Sequence, residues 1–352
     1  MTTAKLNCNT GVDFNQKICG LTVLERAILS CYYAGSKKIE IIHENDTIII
    51  PESVQKLSDL NLGIKISKEK PYKENNFKKG ILSINVSSII NKEYIVKLTG
   101  KPTAPNTVYQ ELTDPSSYKI AEKAILNSCR KPGEAFSSHY YRYLSLFFTK
   151  YVCRTTFITP NMVTAFFVLV GLVGSIMLVS DKWYIYYLGL ILQPMAIVFD
   201  CVDGELARVK YAYSKSGEWL DTVGDNFCTL FFVIAIAYKN YEINQTQASM
   251  ILGIVSIIIY ILNVLFLFLT LSKTTDSGSL QAISKELKKK GLLVEIVTVA
   301  LKRNLVTLYF MVLGFFYLTG TILVINIIGG IGMLIFSFVT LFKLWKNQEV
   351  NW

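Results

Sequence analysis

The sequence predicts a chain in two parts: a small soluble α/β domain over residues 1–125 and an all-α polytopic membrane domain of about six transmembrane helices over 158–352, with an interfacial amphipathic helix over 126–157 between them. Three observations lead there. Apolar residues make up 51% of the 352 positions and concentrate after about residue 160. Before that point helical and strand-like patterns alternate, as in a layered α/β unit. The formal charge of +10 is carried by lysines and arginines beside apolar runs, which is how membrane orientation is encoded. A nucleic-acid partner would need a basic domain with stacking aromatics, and none is visible.

In the first part, Leu21 to Tyr33 has helical spacing, with Gly35 placed to stop the helix. Strand-like runs follow at Lys38 to His43, Thr47 to Ile50, Gly80 to Ile84 and Tyr94 to Leu98. This alternation fits a Rossmann-like layer better than a β barrel. The polar start MTTAKLNCNT shows no apolar core of a cleavable signal peptide, so targeting is expected to fall to the first membrane helix. His43 and His139 have no second ligand at metal spacing and read as packing or surface residues.

From about Ala121 to Thr156 the chain turns basic and aromatic. Arg130, Lys131, Arg142, Lys150 and Arg154 interleave with Phe136, Tyr140, Tyr141, Tyr143, Phe147, Phe148 and Tyr151. A helix of this composition lies in the headgroup layer, rings dipping inward and cations meeting lipid phosphate.

Pro160, in ITPNMVT, sits where the first turn of a helix tolerates it. Six apolar runs follow, near 161–180, 183–203, 218–238, 247–271, 294–319 and 321–342, each about long enough for a hydrocarbon core of roughly 30 Å. One set of turns carries Lys182 and Lys239; the opposite set carries Arg208, Lys210, Lys215, Lys273, Lys285, Lys288, Lys289, Lys290, Lys302, Arg303, Lys343 and Lys346. The richer side is expected in the cytoplasm, with the N-terminal domain.

Beside that face lies FDCVDGELARVKYAYSKSGEWLDTVGDN, with carboxylates at Asp200, Asp203, Asp221 and Asp225. A carboxylate at the end of a membrane helix is costly without a partner. Asp200, Asp203 and Ala207 fall at i, i+3 and i+7, and Gly217, Asp221 and Asp225 at i, i+4 and i+8, so each set lines one helix face. With 208–216 as a turn, the two faces meet and four hard oxygen donors gather. They suit Mg²⁺ or Mn²⁺, shared with substrate phosphates. Gly204, Ala207 and Gly217 leave room for a bulky ligand near the backbone.

Asp200-x-x-Asp203-Gly204-x-x-Ala207-Arg208, eight residues, then Gly217-x-x-x-Asp221-x-x-x-Asp225 resembles the signature of the CDP-alcohol phosphotransferase (phosphatidyltransferase) family at all of its positions. The resemblance implies transfer of a substituted phosphate from a CDP-alcohol to an acceptor alcohol, with release of CMP, in phospholipid, polar-lipid or inositol-phosphate biosynthesis. It implies two metal ions shared by Asp200, Asp203 and Asp221, with Asp225 completing the second ion or acting as general base. Gly204, Ala207 and Gly217 would shape the cytidine pocket. Arg208 would bind phosphate, pair with an aspartate, or serve as a charge at a helix C-terminus. In the family the Pro-Asn-x-x-Thr element looks toward the nucleotide, which makes Asn161 and Thr164 either ligand contacts or helix caps. Arg303 stands where inositol-phosphate members carry a similar arginine and is the expected acceptor site. A homodimer is also implied.

GLTVLERAILSCYYAGSKKIEII, within about the first hundred residues, resembles the early part of a sugar-nucleotidyltransferase domain that precedes some inositol-phosphate phosphotransferases. It departs from that pattern where catalysis would occur. No Gly-rich phosphate loop precedes Gly20, and Asn85, Val86 and Ser87 follow the strand where that family has a metal-binding acid. An inactive, shortened domain is expected. The seven cysteines show neither a CxxC pair nor zinc spacing and read as reduced. The competing class is a transporter or channel using the aspartates as a cation site; crowding of all four acids into one hairpin, with no inverted repeat, speaks against it.

Overall fold

The computed structural model describes residues 3–8, 13–43, 63–67, 75–78, 81–99, 106–130, 136–274 and 303–349. The chain forms two compact units. One comprises Met1–Glu134, Leu146–Ile158 and Glu205–Ala212; the other comprises Ala135–Ser145, Thr159–Gly204 and Tyr213–Trp352.

The first unit begins with β1 (Thr3–Cys8), a short hairpin of β2 (Lys17–Ile18) and β3 (Leu21–Thr22), and helix α1 (Val23–Tyr33). Next come β4 (Lys38–His43), β5 (Gly63–Ser67), β6 (Asn76–Lys78), β7 (Ile81–Asn85) and β8 (Ser88–Ile90). Helix α2 (Lys92–Leu98), β9 (Tyr109–Glu111) and helix α3 (Pro115–Ser128) complete this stretch. The main sheet has the order β5-β4-β1-β7-β6. Its first four strands are parallel, and β6 pairs antiparallel to β7. The sheet grows on a β1-α1-β4 unit, consistent with the expected α/β class.

Register explains the core. Ala4 lies opposite Ile39 and Leu82, and Leu6 opposite Ile41 and Ile84; all six are buried, as the two-residue period of a strand requires. Helix α1 packs against β1. Thr22 starts α1 with a capping box: Glu25 N–H donates to Thr22 Oγ1 at 3.1 Å, and Thr22 N–H donates to Glu25 Oε2 at 3.0 Å. Such a cap is worth about 1 kcal/mol. Past the helix, Gly35 takes φ +99°, the left-handed conformation that ends helices and that glycine adopts without strain.

The strand expected at Tyr94 to Leu98 is instead the body of α2. Asn91 is extended and its side chain accepts the Tyr94 N–H at 3.0 Å, an N-cap that outweighs the strand preference of Tyr94, Ile95 and Val96. The run Thr47 to Ile50 lies outside the described residues. His43 packs edge-on against Phe14, with ring centroids 6.0 Å apart.

Within 126–157 the helix is α4 (Phe136–Val152). Tyr140, Tyr143, Phe147 and Tyr151 are exposed along one stripe of it, whereas Tyr141 and Leu146 are buried. This amphipathic division matches the sequence pattern.

The apolar helices are α5 (Pro160–Leu178), α6 (Trp183–Val209), α7 (Lys215–Asn244), α8 (Gln247–Thr274), α9 (Arg303–Phe315) and α10 (Thr319–Glu349). Among the described residues, four are long and apolar enough to cross a membrane: α5, α6, α7 and Gln247–Leu269 of α8. Among the described residues, the fifth and sixth apolar runs give shorter apolar helical stretches, Leu305–Phe315 and Thr319–Ile335. The first part of the fifth run, 294–302, is outside the described residues.

Small residues set the helix spacing. A Cβ on Gly189 of α6 would stand 2.7 Å from the Gly174 carbonyl oxygen of α5, so only a glycine permits this crossing. Leu178, Tyr186, Leu190, Phe232, Ile236, Phe310 and Ile322 form the buried centre of the bundle. Polar bonds join its helices: Asn326 Nδ2 donates to Ser256 Oγ at 2.7 Å, and Asn263 Nδ2 to the Gly330 carbonyl at 3.0 Å. Lys239, assigned above to a turn, lies inside α7, buried between Asp181 at 3.6 Å and Glu242 at 2.9 Å.

Candidate active site

The signature occupies the end of α6, a turn, and the start of α7. Helix α6 continues through Val209 and α7 starts at Lys215, so Arg208 is helical and the turn is shorter than the expected 208–216. Tyr211 adopts φ +53°, and Ala212 N–H donates to the Ala207 carbonyl at 2.9 Å, closing the helix end. A non-glycine residue in this conformation is strained and needs support from outside. Tyr211 receives it from α1, where its ring stacks on Tyr33 at 5.5 Å and its hydroxyl lies 2.8 Å from Ser30 Oγ. Arg26 also donates to the Val209 carbonyl at 3.0 Å. Burial holds the Lys210 ammonium below the ordinary lysine range, and it donates to the Thr155 and Ile158 carbonyls at 2.5 and 2.9 Å.

At the start of α7, Ser214 accepts the Gly217 N–H at 2.9 Å and caps the helix. The spacing then turns Asp221 and Asp225 to one face. One carboxylate oxygen from each of Asp200, Asp221 and Asp225 lies within 4.8 Å of the other two, and all three residues are half-buried. Asp203 is not in that close set. It is buried, and Thr164 Oγ1 donates to its Oδ2 at 2.5 Å.

Thr164 is thus placed against the acids and not at the cap of α5, which is Thr159. Asn161 stands beside Gly217, where an added Cβ would meet Asn161 Oδ1 at 2.9 Å. Gly204 is half-buried on α6, as are Ala207 and Arg208 in its last turn. Arg208 Nε is buried without a hydrogen-bond partner among the described residues. Arg303 opens α9, but its side chain lies outside the described residues, as does all of Lys302.

A cavity of about 60 Å³ adjoins the acids, with Asp200 and Asp225 on one part of its wall and Phe167, Ile197, Phe232 and Phe310 on the rest. Gln193 and Thr307 also line it and were not singled out from sequence. The signal for Gln193 was present as a lone amide in an apolar run, just before Pro194 within α6. Thr307, in a span of ordinary composition, gave none.

Three hard oxygen donors converging from two helices are a donor set for Mg²⁺ or Mn²⁺, so the residues present fit such an ion. The sequence profile of CDP-alcohol phosphatidyltransferase matches residues 157–342, more than half of the chain. The chain belongs to the CDP-alcohol phosphatidyltransferase family. No curated protein matches it. Membership supports a phosphotransferase of the CDP-alcohol kind, and the long apolar helices support an integral membrane protein. CDP-alcohol phosphatidyltransferases usually depend on a divalent metal, and the acidic triad is the candidate place for one here.

Proposed function

We propose that the protein transfers a substituted phosphate from a CDP-alcohol to the hydroxyl of an acceptor alcohol and releases CMP, in phospholipid, polar-lipid or inositol-phosphate biosynthesis. The observation that carries this reading is the convergence of Asp200, Asp221 and Asp225 within 4.8 Å, inside the family's signature. Asp200, Asp203, Asp221 and Asp225 would hold two divalent ions, Mg²⁺ or Mn²⁺. When bound, these supply positive charge to the pyrophosphate and to the departing CMP.

The chain's own residues do the rest. Asp225 takes the proton of the acceptor hydroxyl as its oxygen attacks the phosphorus that bears the donor alcohol. A new P–O bond forms, the pyrophosphate P–O bond breaks, and CMP leaves with the electron pair. Thr164 holds one oxygen of Asp203 and so fixes the direction of the other. Gly217, Gly204 and Ala207 keep the floor of the cytidine site low, with Asn161 beside it. Arg208 supplies a fixed cation for phosphate, and Arg303 one for an acceptor phosphate. The apolar wall beside Asp200 and Asp225 suits a substrate with an apolar part and supports enzyme over transporter.

By the cation distribution, the site and the N-terminal domain face the cytoplasm. That domain is catalytically inactive in this proposal. Asn85, at the end of β7, spends its side chain on the N–H of Ser87 at 3.0 Å, an amide turn where nucleotidyl transfer would need a metal-binding acid. The family likeness supports a homodimer.

Purified full-length protein is incubated with a mixture of CDP-alcohols, candidate acceptors and Mg²⁺, and the products are resolved by mass spectrometry. CMP and a phosphodiester or acyl-glycerol-linked phosphate product should appear together and vanish on chelation. No CMP from any donor, with Mg²⁺ or Mn²⁺, would overturn the proposal.

A further inference from the structure

Three segments far apart in the sequence meet in the α/β unit at a point the phosphotransferase chemistry does not use. They are the β2–β3 turn at Cys19, α3 at Glu122, and the chain just past α4 at Cys153. The two sulfurs and a carboxylate oxygen all lie within 4.8 Å of one another. Cys19 is 3% exposed and Cys153 fully buried. Four zinc ligands at about 2.3 Å from a tetrahedral centre stand about 3.8 Å apart. The observed spread therefore closes on an ion with small side-chain rotations.

We propose that Cys19, Glu122 and Cys153 bind a zinc ion, with water as the fourth ligand. Two features of the structure favour an ion over plain packing. First, a buried free cysteine behaves as a small apolar residue, yet here a carboxylate is drawn in beside two of them. Second, Cys19 and Gly20 form the two-residue loop of the β2–β3 hairpin, whose usual positive φ at both positions seats Cys19 against Cys153. Cys19 stands at φ +50° and Gly20 at φ +81°, and any side chain at position 20 would collide with the Cys153 carbonyl oxygen.

Glu122 is also held from behind, as metal ligands are, and the backbone near each cysteine is pinned. Arg154 clasps Glu122 through two bonds, Nε to Oε1 at 2.8 Å and Nη2 to Oε2 at 3.0 Å. Arg26 Nη2 donates to the carbonyl of Ile18, next to Cys19, at 2.9 Å. Lys210 donates to the carbonyl of Thr155, two residues past Cys153. The three anionic ligands would outweigh the ion's two charges, and the cations Arg154, Arg26 and Lys210 stand around them. The ion would staple the hairpin, α3 and the end of α4 to one another. Thiolate ligands separate this site from the all-oxygen aspartate site, which suits harder ions.

The test uses full-length protein purified without added metal, read by elemental analysis and by cobalt substitution. About one zinc per chain is expected, and Co²⁺ should give the intense near-ultraviolet thiolate-to-cobalt absorption that oxygen ligands do not produce. Cys19→Ser with Cys153→Ser should abolish both signals, whereas Asp200→Asn should keep them. Arg154→Ala should weaken zinc binding by about tenfold or more. The wild-type cobalt spectrum decides the matter even if the double variant does not fold. Absence of the thiolate band overturns the proposal, and so does a Cys19–Cys153 disulfide found by alkylation and mass analysis.

Discussion

Thr164 Oγ1 donates a hydrogen bond of 2.5 Å to Asp203 Oδ2, tying the start of the first apolar helix to the first half of the acidic signature. Both partners are buried. The bond is charge-assisted, worth about 1.5–3 kcal/mol. Thr164→Val keeps the shape and removes the hydroxyl. The variant should retain its helical circular dichroism, unfold at lower temperature, and lose about tenfold or more in kcat/KM for CMP release. Unchanged kinetics would mean that the bond only supports the fold.

Asp225→Asn should abolish transfer while CDP-alcohol binding, measured by equilibrium dialysis with Mg²⁺ present, stays detectable. An amide accepts no proton from the acceptor. If binding and turnover fall together, Asp225 is a metal ligand and not the base.

Two glycines of the second acidic helix should respond differently to alanine. At Gly224 the new Cβ would lie 2.7 Å from Val168 Cγ2, inside a packed crossing. That overpacking should cost about 1–3 kcal/mol, read as a lower unfolding temperature. At Gly217 the Cβ would meet the tips of Ser214 and Asn161 at 2.7 and 2.9 Å, and such tips can swing aside. Gly217→Ala should therefore lower the unfolding temperature by no more than loss of the Ser214 cap, about 1 kcal/mol, would, and should raise KM for the CDP-alcohol.

Arg26→Ala removes a guanidinium that is 3% exposed and donates to two carbonyls, Val209 and Ile18. The carbonyls would be left buried and unbonded, a loss of about 3 kcal/mol. The thermal transition of the full-length protein should fall, and trypsin should cut sooner near Lys210. An unchanged transition would show that water replaces the guanidinium.

The sequence by itself determined the α/β class of the N-terminal part, the apolar helices, and the acidic signature on two helix faces. These features rest on periodicity and spacing, which are local. It read Tyr94 to Leu98 as a strand because β-branched and aromatic residues favour one; the Asn91 cap decided for helix.

Tertiary structure decided which partners each side chain finds. It gathered Asp200, Asp221 and Asp225, gave Asp203 to Thr164, and brought α1 against the strained turn at Tyr211. It also placed Cys19 and Cys153 beside Glu122, although cysteine spacing carried no metal pattern. The physical reason is that spacing along one element fixes a face, whereas the partner on another element depends on how the chain closes its loops and packs its core.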